Sequence, residues 1–190
     1  MKVNKRKTAT GGSVVKVGGI SDTHAMLRPE VEAVFRGVDH IIHAGDIGDP
    51  AILEQLGKLA PLTAVAGNIE DFQCGPAGEE ARVEIGGVRF YVTHIVDRPR
   101  RLRSEVRLAL DRWPADVVIF GHSHLPHDEV IDGVRFFNPA SAGPRRFDYP
   151  VSVGLIEVRG GAVSSRHVAL DKRSEGALET HMNQLSQADR

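Results

Sequence analysis

Five short apolar runs in this chain end on side chains that can bind a cation, and that recurrence constrains the fold more than any other feature. "GGISDTH" delivers Asp22 and His24, "IIHAGD" delivers Asp46, "AVAGN" delivers Asn68, "FYVTH" delivers His94, and "VVIFGHSH" delivers His122 and His124. Runs of this length, bounded by turn residues, read as buried strands. Each polar residue then sits at the carboxyl end of a strand. In open sheets with parallel strands those ends line one rim where ligands collect, so residues far apart in sequence share one site.

Between the runs, hydrophobic spacing predicts helices. "RPEVEAVFRGV" sets Val31, Val34, Phe35 and Val38 at helical intervals, and "DPAILEQLGKLA" offers Asp49 as cap with Pro50 at the first helical position. "RLRSEVRLALDRW" aligns Leu102, Val106, Leu110 and Trp113 as a core stripe that Pro114 stops. Gly86-Gly87, Asp132-Gly133 and Gly160-Gly161 mark three hairpins in the second half. Strand and helix alternation followed by hairpins points to two packed sheets flanked by helices.

A chain of 190 residues supports one core. The organisation expected is a disordered basic extension over 1–13, a folded domain over 14–171 and a polar tail over 172–190, in which "EGALETHMNQL" is a marginal helix. The formal net charge of −1 provides no field for nucleic acid or an anionic membrane, and no apolar stretch of about 18 residues reads as a span. The single cysteine, Cys74, has no internal disulfide partner, and a reducing cytoplasm is the expected setting.

The spacing of the polar residues has a physical reading. Side chains along a strand alternate faces, so Asp22 and His24 are expected to point together, as are His122 and His124. Glycines before Asp46, Asn68 and His122 permit tight turns and keep bulk away from the site. A single D-x-H or a strand-end asparagine arises by chance; the ordered set does not. Carboxylate, imidazole and amide donors without thiolate suit Mn2+, Fe, Ni2+, Co2+ or Zn2+. Seven donors exceed the needs of one such ion, and two ions sharing a carboxylate use them all.

Taken in order, D-x-H, G-D, G-N, T-H and G-H-x-H resemble the motifs of the calcineurin-like metallophosphoesterases, and the small bacterial and archaeal YfcE-like phosphodiesterases are the most similar branch. The resemblance spans Val14 to Leu170 and implies an α/β fold, a four-layer α/β/β/α sandwich with two mixed sheets. It implies two divalent ions, Mn2+ ahead of Ni2+, Fe, Co2+ or Zn2+. Asp22, His24 and His124 would hold one ion, Asn68, His94 and His122 the other, with Asp46 bridging. A water shared by the two cations would lose its proton and attack phosphorus in line, which makes Asp46, His94 and His122 the catalytic set. The implied partners are a small phosphoester substrate and a second copy of the chain; a nuclease role finds no polyanion groove.

Three positions depart from the family pattern. Ile69 follows the G-N asparagine where many members carry a histidine, with Glu70 supplying the acidic residue of the favoured branch; Ala25 and Ile95 stand where glycine is usual. Asn68, Glu70, Arg145 and Arg146 are the candidates for substrate contact, the arginines by bidentate phosphate binding. His43 is expected to pack or support a ligand, while His40, His127, His167 and His181 are given no metal role. The alternative function is a metal-binding scaffold for a protein partner, as in the retromer subunit that resembles these enzymes; the intact donor set argues for hydrolysis of phosphodiesters.

Overall fold

The computed structural model describes residues 13–70 and 77–188, so the extension expected over 1–13, Ser13 apart, and Cys74 lie outside the described residues. The first strand, β1 (Val15–Ile20), carries Gly18 at its centre, and a methyl group there would stand 2.8 Å from Phe35 Cε1. That bare position lets helix α1 (Pro29–Phe35) lie directly on the strand. The alternation continues through β2 (His40–His43), α2 (Pro50–Gly57) and β3 (Leu62–Ala64). Asp49 Oδ1 accepts the Ala51 N–H at 2.9 Å, and Pro50 fills the first turn of α2, as its sequence predicts.

The second half begins with the hairpin β4 (Glu80–Ile85) and β5 (Val88–Thr93). A two-residue ribbon follows, β6 (Asp97–Arg98) with β7 (Arg101–Leu102), too short to leave a periodic signal in the sequence. Helix α3 (Ser104–Arg112) leads to β8 (Val117–Ile119). Two further hairpins, β9 (Pro126–Ile131) with β10 (Val134–Pro139) and β11 (Ser152–Arg159) with β12 (Ala162–Ala169), precede the final helix α4 (Lys172–Ala188).

Two five-stranded mixed sheets result, ordered β12-β11-β1-β2-β3 and β4-β5-β8-β10-β9. In the first, β1, β2 and β3 run parallel; in the second, β5, β8 and β10 do. Alternation of side chains splits each sheet between two cores. Val17, Ile42 and Ile156 face Phe90, Val117, Ile119 and Phe137 between the sheets. Ile20, Ile41 and Val153 turn outward onto Val31, Phe35, Ile52 and Leu56 of α1 and α2, while Tyr91, Val118 and Phe136 turn outward onto Val106 and Ala109 of α3. The order of layers is therefore helices, sheet, sheet, helix, which is the sandwich expected.

Two sequence expectations need adjusting. The buried face of α3 centres on Val106 and Ala109; Leu110 and Trp113 pack against the same core while only partly covered, and Leu102 lies ahead of the helix on β7. Residues 172–190, expected as a polar tail with a marginal helix, carry α4 instead through Ala188. Its first turn is anchored by Ser174, whose Oγ accepts the Val151 N–H at 2.8 Å and an Arg145 N–H at 2.9 Å. The helix lies against β12 and β9, across one edge of both sheets.

Phe137 joins the layers: it is fully buried, stacks on His167 at 4.6 Å, and needs the missing side chain of Gly154, where a methyl group would come within 2.3 Å of its ring. Phe137→Ala is expected to lower stability by about 3–5 kcal/mol, read as a lower urea midpoint at unchanged slope.

Candidate metal centre

The donor residues do not lie on the strands. β1 ends at Ile20 and β8 at Ile119, so Asp22, His24, His122 and His124 belong to the loops beyond them. There they adopt left-handed backbone conformations, with φ of 54°, 45°, 69° and 60°, and Asp46 joins them at 54°. The expectation that pleat alternation aligns each pair is thus corrected: paired left-handed turns do it. L-residues avoid this region because Cβ crowds the carbonyl oxygen, and about 1–2 kcal/mol opposes each one.

Hydrogen bonds between loops hold these turns. Asp22 N–H donates to the Gly45 carbonyl at 2.9 Å, His24 N–H to Asp46 O at 3.0 Å and Ala25 N–H to Ile47 O at 2.8 Å, zipping the loop after β1 to the loop after β2. Gly121 N–H donates to His94 O at 3.0 Å and joins the loops of the second sheet. Glycine is required here for close approach: a methyl group on Gly67 would meet Asp46 Oδ1 at 2.1 Å, and one on Gly121 would meet Ser21 Oγ at 1.9 Å.

The donors form two groups around one carboxylate. Asp22, His24, Asp46 and His124 present donor atoms that all lie within 4.8 Å of one another. His24 Nε2 is 3.1 Å from His124 Nε2 and 3.6 Å from Asp46 Oδ2; His124 Nε2 is 3.3 Å from Asp22 Oδ1. On the other side, His94 Nε2 stands 3.3 Å from Asp46 Oδ1, and His122 Nδ1 stands 2.9 Å from Asn68 Oδ1, with the two imidazole rings edge to face at 5.3 Å. Metal bonds of about 2.1 Å in octahedral geometry put neighbouring donor atoms about 3 Å apart, so these spacings suit a cation. The chain accordingly fits a metal by its own chemistry: Asp22 Oδ1 and His94 Nε2 are buried without a hydrogen-bond partner.

Protonation follows from the partners. His94 Nδ1–H donates to the Ala44 carbonyl at 2.7 Å, which leaves Nε2 with its lone pair toward Asp46, the arrangement a ligating histidine needs. Burial opposes charging His94, but its contact with Asp46 and the charge of Asp22 outweigh burial and raise its pKa. Burial likewise pushes Asp46 up, yet the His94 contact, the Ile69 N–H and the charge of His24 hold its carboxyl below the ordinary value. His24 is lowered by burial and by the Arg146 charge, with Asp46 opposing, and His122 is lowered by burial and by His94. Arg146 donates to His24 Nε2 at 3.3 Å, so that nitrogen is an acceptor.

Other residues steady the site, among them Glu70 and His43, already singled out in the sequence. Glu70 accepts the backbone N–H of Asp46 and of Gly48, each at 3.0 Å, and of Gly67; it fastens the loops beneath Asp46 rather than facing a substrate space. His43 is fully buried. It accepts the Gly45 N–H on Nδ1 at 3.2 Å, so its Nε2–H donates to Thr23 Oγ1 at 3.0 Å, and the Thr23 hydroxyl donates to Ile47 O at 3.0 Å. Asn138 donates to Gly121 O at 2.8 Å and Ser141 to Asp22 O at 2.9 Å, giving the "NPAS" loop a fastening role. Fastening of this kind consists of side-chain to backbone bonds across the fold, which sequence spacing does not encode.

The remaining candidates separate. Arg146 reaches the donor cluster, whereas the guanidinium of Arg145 is engaged by both oxygens of Asp171, Ser174 Oγ and the Tyr149 carbonyl. His40 bonds Thr63 at 2.8 Å, His167 donates to Asn138 O at 2.7 Å, His181 to Pro126 O at 3.0 Å, and His127 stands 3.3 Å from Glu129. Ala25 has φ of 64°, which explains a family preference for glycine there; Ile95 follows His94 without displacing its bond to Ala44.

Comparison with known proteins yields consistent relatives. A family model for the calcineurin-like phosphoesterase superfamily domain matches residues 15–161. A probable metallophosphoesterase of Methanothermobacter thermautotrophicus is 34% identical over 149 residues, covering 76% of this chain and 86% of that protein. A phosphodiesterase of Methanocaldococcus jannaschii is 30% identical over 143 residues, covering 66% of this chain and 82% of its own length. The solved structure of vacuolar protein sorting 29 from Cryptosporidium parvum superposes with a TM-score of 0.67 at 18% identity, covering 82% of this chain and 98% of that one.

Two outcomes follow from the loops. Burial pushes the His43 imidazole down to about 4, so its neutral form stabilises the fold fully above pH 6.5, and that contribution is lost as pH falls from 6.5 toward 4. In metal-free protein, His43→Gln is expected to flatten the fall in stability between pH 7 and pH 4 by about 3 kcal/mol, measured by urea unfolding at stepped pH. Ala25→Gly relieves a left-handed alanine and is expected to raise stability by about 0.5–1 kcal/mol in the same assay.

Proposed function

Because the chain belongs to the calcineurin-like phosphoesterase superfamily, we propose that it is a cytoplasmic phosphodiesterase that hydrolyses small phosphodiesters at two divalent ions held by Asp22, His24, Asp46, Asn68, His94, His122 and His124. One observation supports this reading above the others: the two oxygens of Asp46 serve different histidines, Oδ2 facing His24 and Oδ1 facing His94. A carboxylate so placed suits a bridge between cations. Donors of oxygen and nitrogen without thiolate suit Mn2+, Fe, Ni2+, Co2+ or Zn2+, and the family resemblance places Mn2+ first among them. Ions bound there supply an acidic water and positive charge for the phosphoryl oxygens.

The side chains of the protein supply order. The Ala44 carbonyl keeps the proton of His94 on Nδ1, and Asp22 Oδ2 accepts the His122 N–H at 3.2 Å, fixing the loop that bears two imidazoles. Arg146, next to His24, is placed to turn a planar pair of N–H donors onto a phosphoryl oxygen. No general acid follows Asn68, since Ile69 stands there half exposed, so esters with good leaving groups should react fastest. Preference for diesters is supported by the phosphodiesterase from M. jannaschii among the relatives. The likeness to vacuolar protein sorting 29 concerns the fold, and the complete donor set favours an enzyme over a scaffold.

Metal-stripped protein reloaded separately with Mn2+, Ni2+, Zn2+ or Mg2+ is expected to release p-nitrophenolate from bis(p-nitrophenyl) phosphate faster than from p-nitrophenyl phosphate. Asp46→Asn should reduce that rate by at least about a hundredfold and weaken metal uptake. Undiminished hydrolysis by the variant would refute the assignment.

A further inference from the structure

Beside His122 lies a cavity of about 490 Å3, bounded by the loop after β5, by β6, by the loop after β8 and by α4. Its wall is mainly apolar, built from Ile95, Val96, Phe120, Leu125, Pro126 and Leu185, and it includes His122, one of the candidate donors, between Gly121 and Ser123. Small-molecule sites have this character: a few hundred cubic ångströms, apolar walls and a small number of placed polar groups. Polar residues interrupt this wall: Asp97, Arg98, His122, Ser123, His127 and His181. His181 donates from Nε2 to the Pro126 carbonyl, which leaves Nδ1 as an acceptor, and Arg98 stands exposed at the lining without an ion-pair partner among the described residues.

The far wall is added by residues outside the family match. That match ends at residue 161, whereas His181 and Leu185 come from α4 (Lys172–Ala188). The helix is tied at both ends of the stretch that matters: Asp171 and Ser174 grip Arg145, whose neighbour Arg146 touches His24, and His181 grips Pro126. One side of α4 therefore closes a space whose other side is the loop of a candidate metal ligand.

We propose that this cavity binds the nucleoside arm of a phosphodiester, or an aromatic alcohol of similar size, while the phosphoryl group occupies the donor cluster. The inference rests on the phosphodiesterase reading of that cluster. Apolar walls suit an aromatic ring, and the His181 acceptor with the Arg98 cation suits the polar edge of a base. A short alkyl arm would leave His181 and Arg98 unused. Binding of such a remote arm contributes to transition-state stabilisation only if it is continuous with the reacting group, and His122, a candidate donor that also lines the cavity, supplies that continuity.

The test is calorimetric titration of the Mn2+-loaded protein with thymidine 5′-monophosphate and with inorganic phosphate, on wild type, Leu185→Trp and Leu185→Ala, with circular dichroism melts as a folding control. The nucleotide is expected to bind wild type at least tenfold more tightly than phosphate. Leu185→Trp should shrink that preference below threefold while phosphate affinity stays within twofold; Leu185→Ala, which cannot overpack, should weaken the preference severalfold and decides the matter if the tryptophan variant does not fold. Equal affinity for the two probes in wild type, or a preference untouched in folded variants, would overturn the proposal. Hydrolysis of bis(p-nitrophenyl) phosphate in the same samples separates the two readings. Nucleotide preference without turnover removes the phosphodiesterase assignment and keeps the cavity, and turnover without preference does the reverse.

Discussion

The site depends on a backbone conformation that L-residues resist. Five donors, Asp22, His24, Asp46, His122 and His124, sit at positive φ, and together their strain amounts to several kcal/mol. It persists because the loops have no freedom to relax. Asp22, His24 and Ala25 donate in succession to the carbonyls of Gly45, Asp46 and Ile47, while Ser141 and Asn138 hold the carbonyls of Asp22 and Gly121 from the opposite side. Left-handed turns let short side chains from neighbouring positions converge on one point, which an extended strand spaces about 6–7 Å apart.

The same rigidity governs the electrostatics. Two carboxylates and several imidazoles are packed where Asp22 Oδ1 and His94 Nε2 lack hydrogen-bond partners, an arrangement that is costly unless a cation completes it. Hydrogen bonds place the ring protons: buried His43 carries its proton on Nε2, and the candidate donor His94 carries one on Nδ1. Glu70, on the chain segment after Asn68, fixes three backbone N–H groups around Asp46 and so couples the loop after β3 to the loop after β2. Stability of the loops and readiness of the donors are one property here.

The candidate donors and the last helix come from different parts of the chain. The donor loops and the sandwich through β11 fall within the residues that match the superfamily model, whereas β12 and α4, which packs across one edge of both sheets, lie beyond them. A helix of mixed polarity in that place changes what surrounds His122 without altering a donor. Ile95 has a comparable position, next to His94 and between two concavities on either side of it.

Sequence alone determined the alternation of strands and helices, the three hairpins and the Asp49 cap, and it nominated the candidate donors, because each is written in local periodicity, turn chemistry or a short spacing. It misjudged why the donors align: the pleat of β1 stops at Ile20, and left-handed turns beyond it do the work. It also had no means of finding Glu70 under Asp46, Asn138 on Gly121, or Arg145 bound to Asp171 while Arg146 reaches His24, since these contacts join residues 17 to 122 positions apart. Local patterns decide which elements form and which atoms are on offer. Only the packing of two sheets decides which loops touch, because that depends on how the whole core buries its apolar faces.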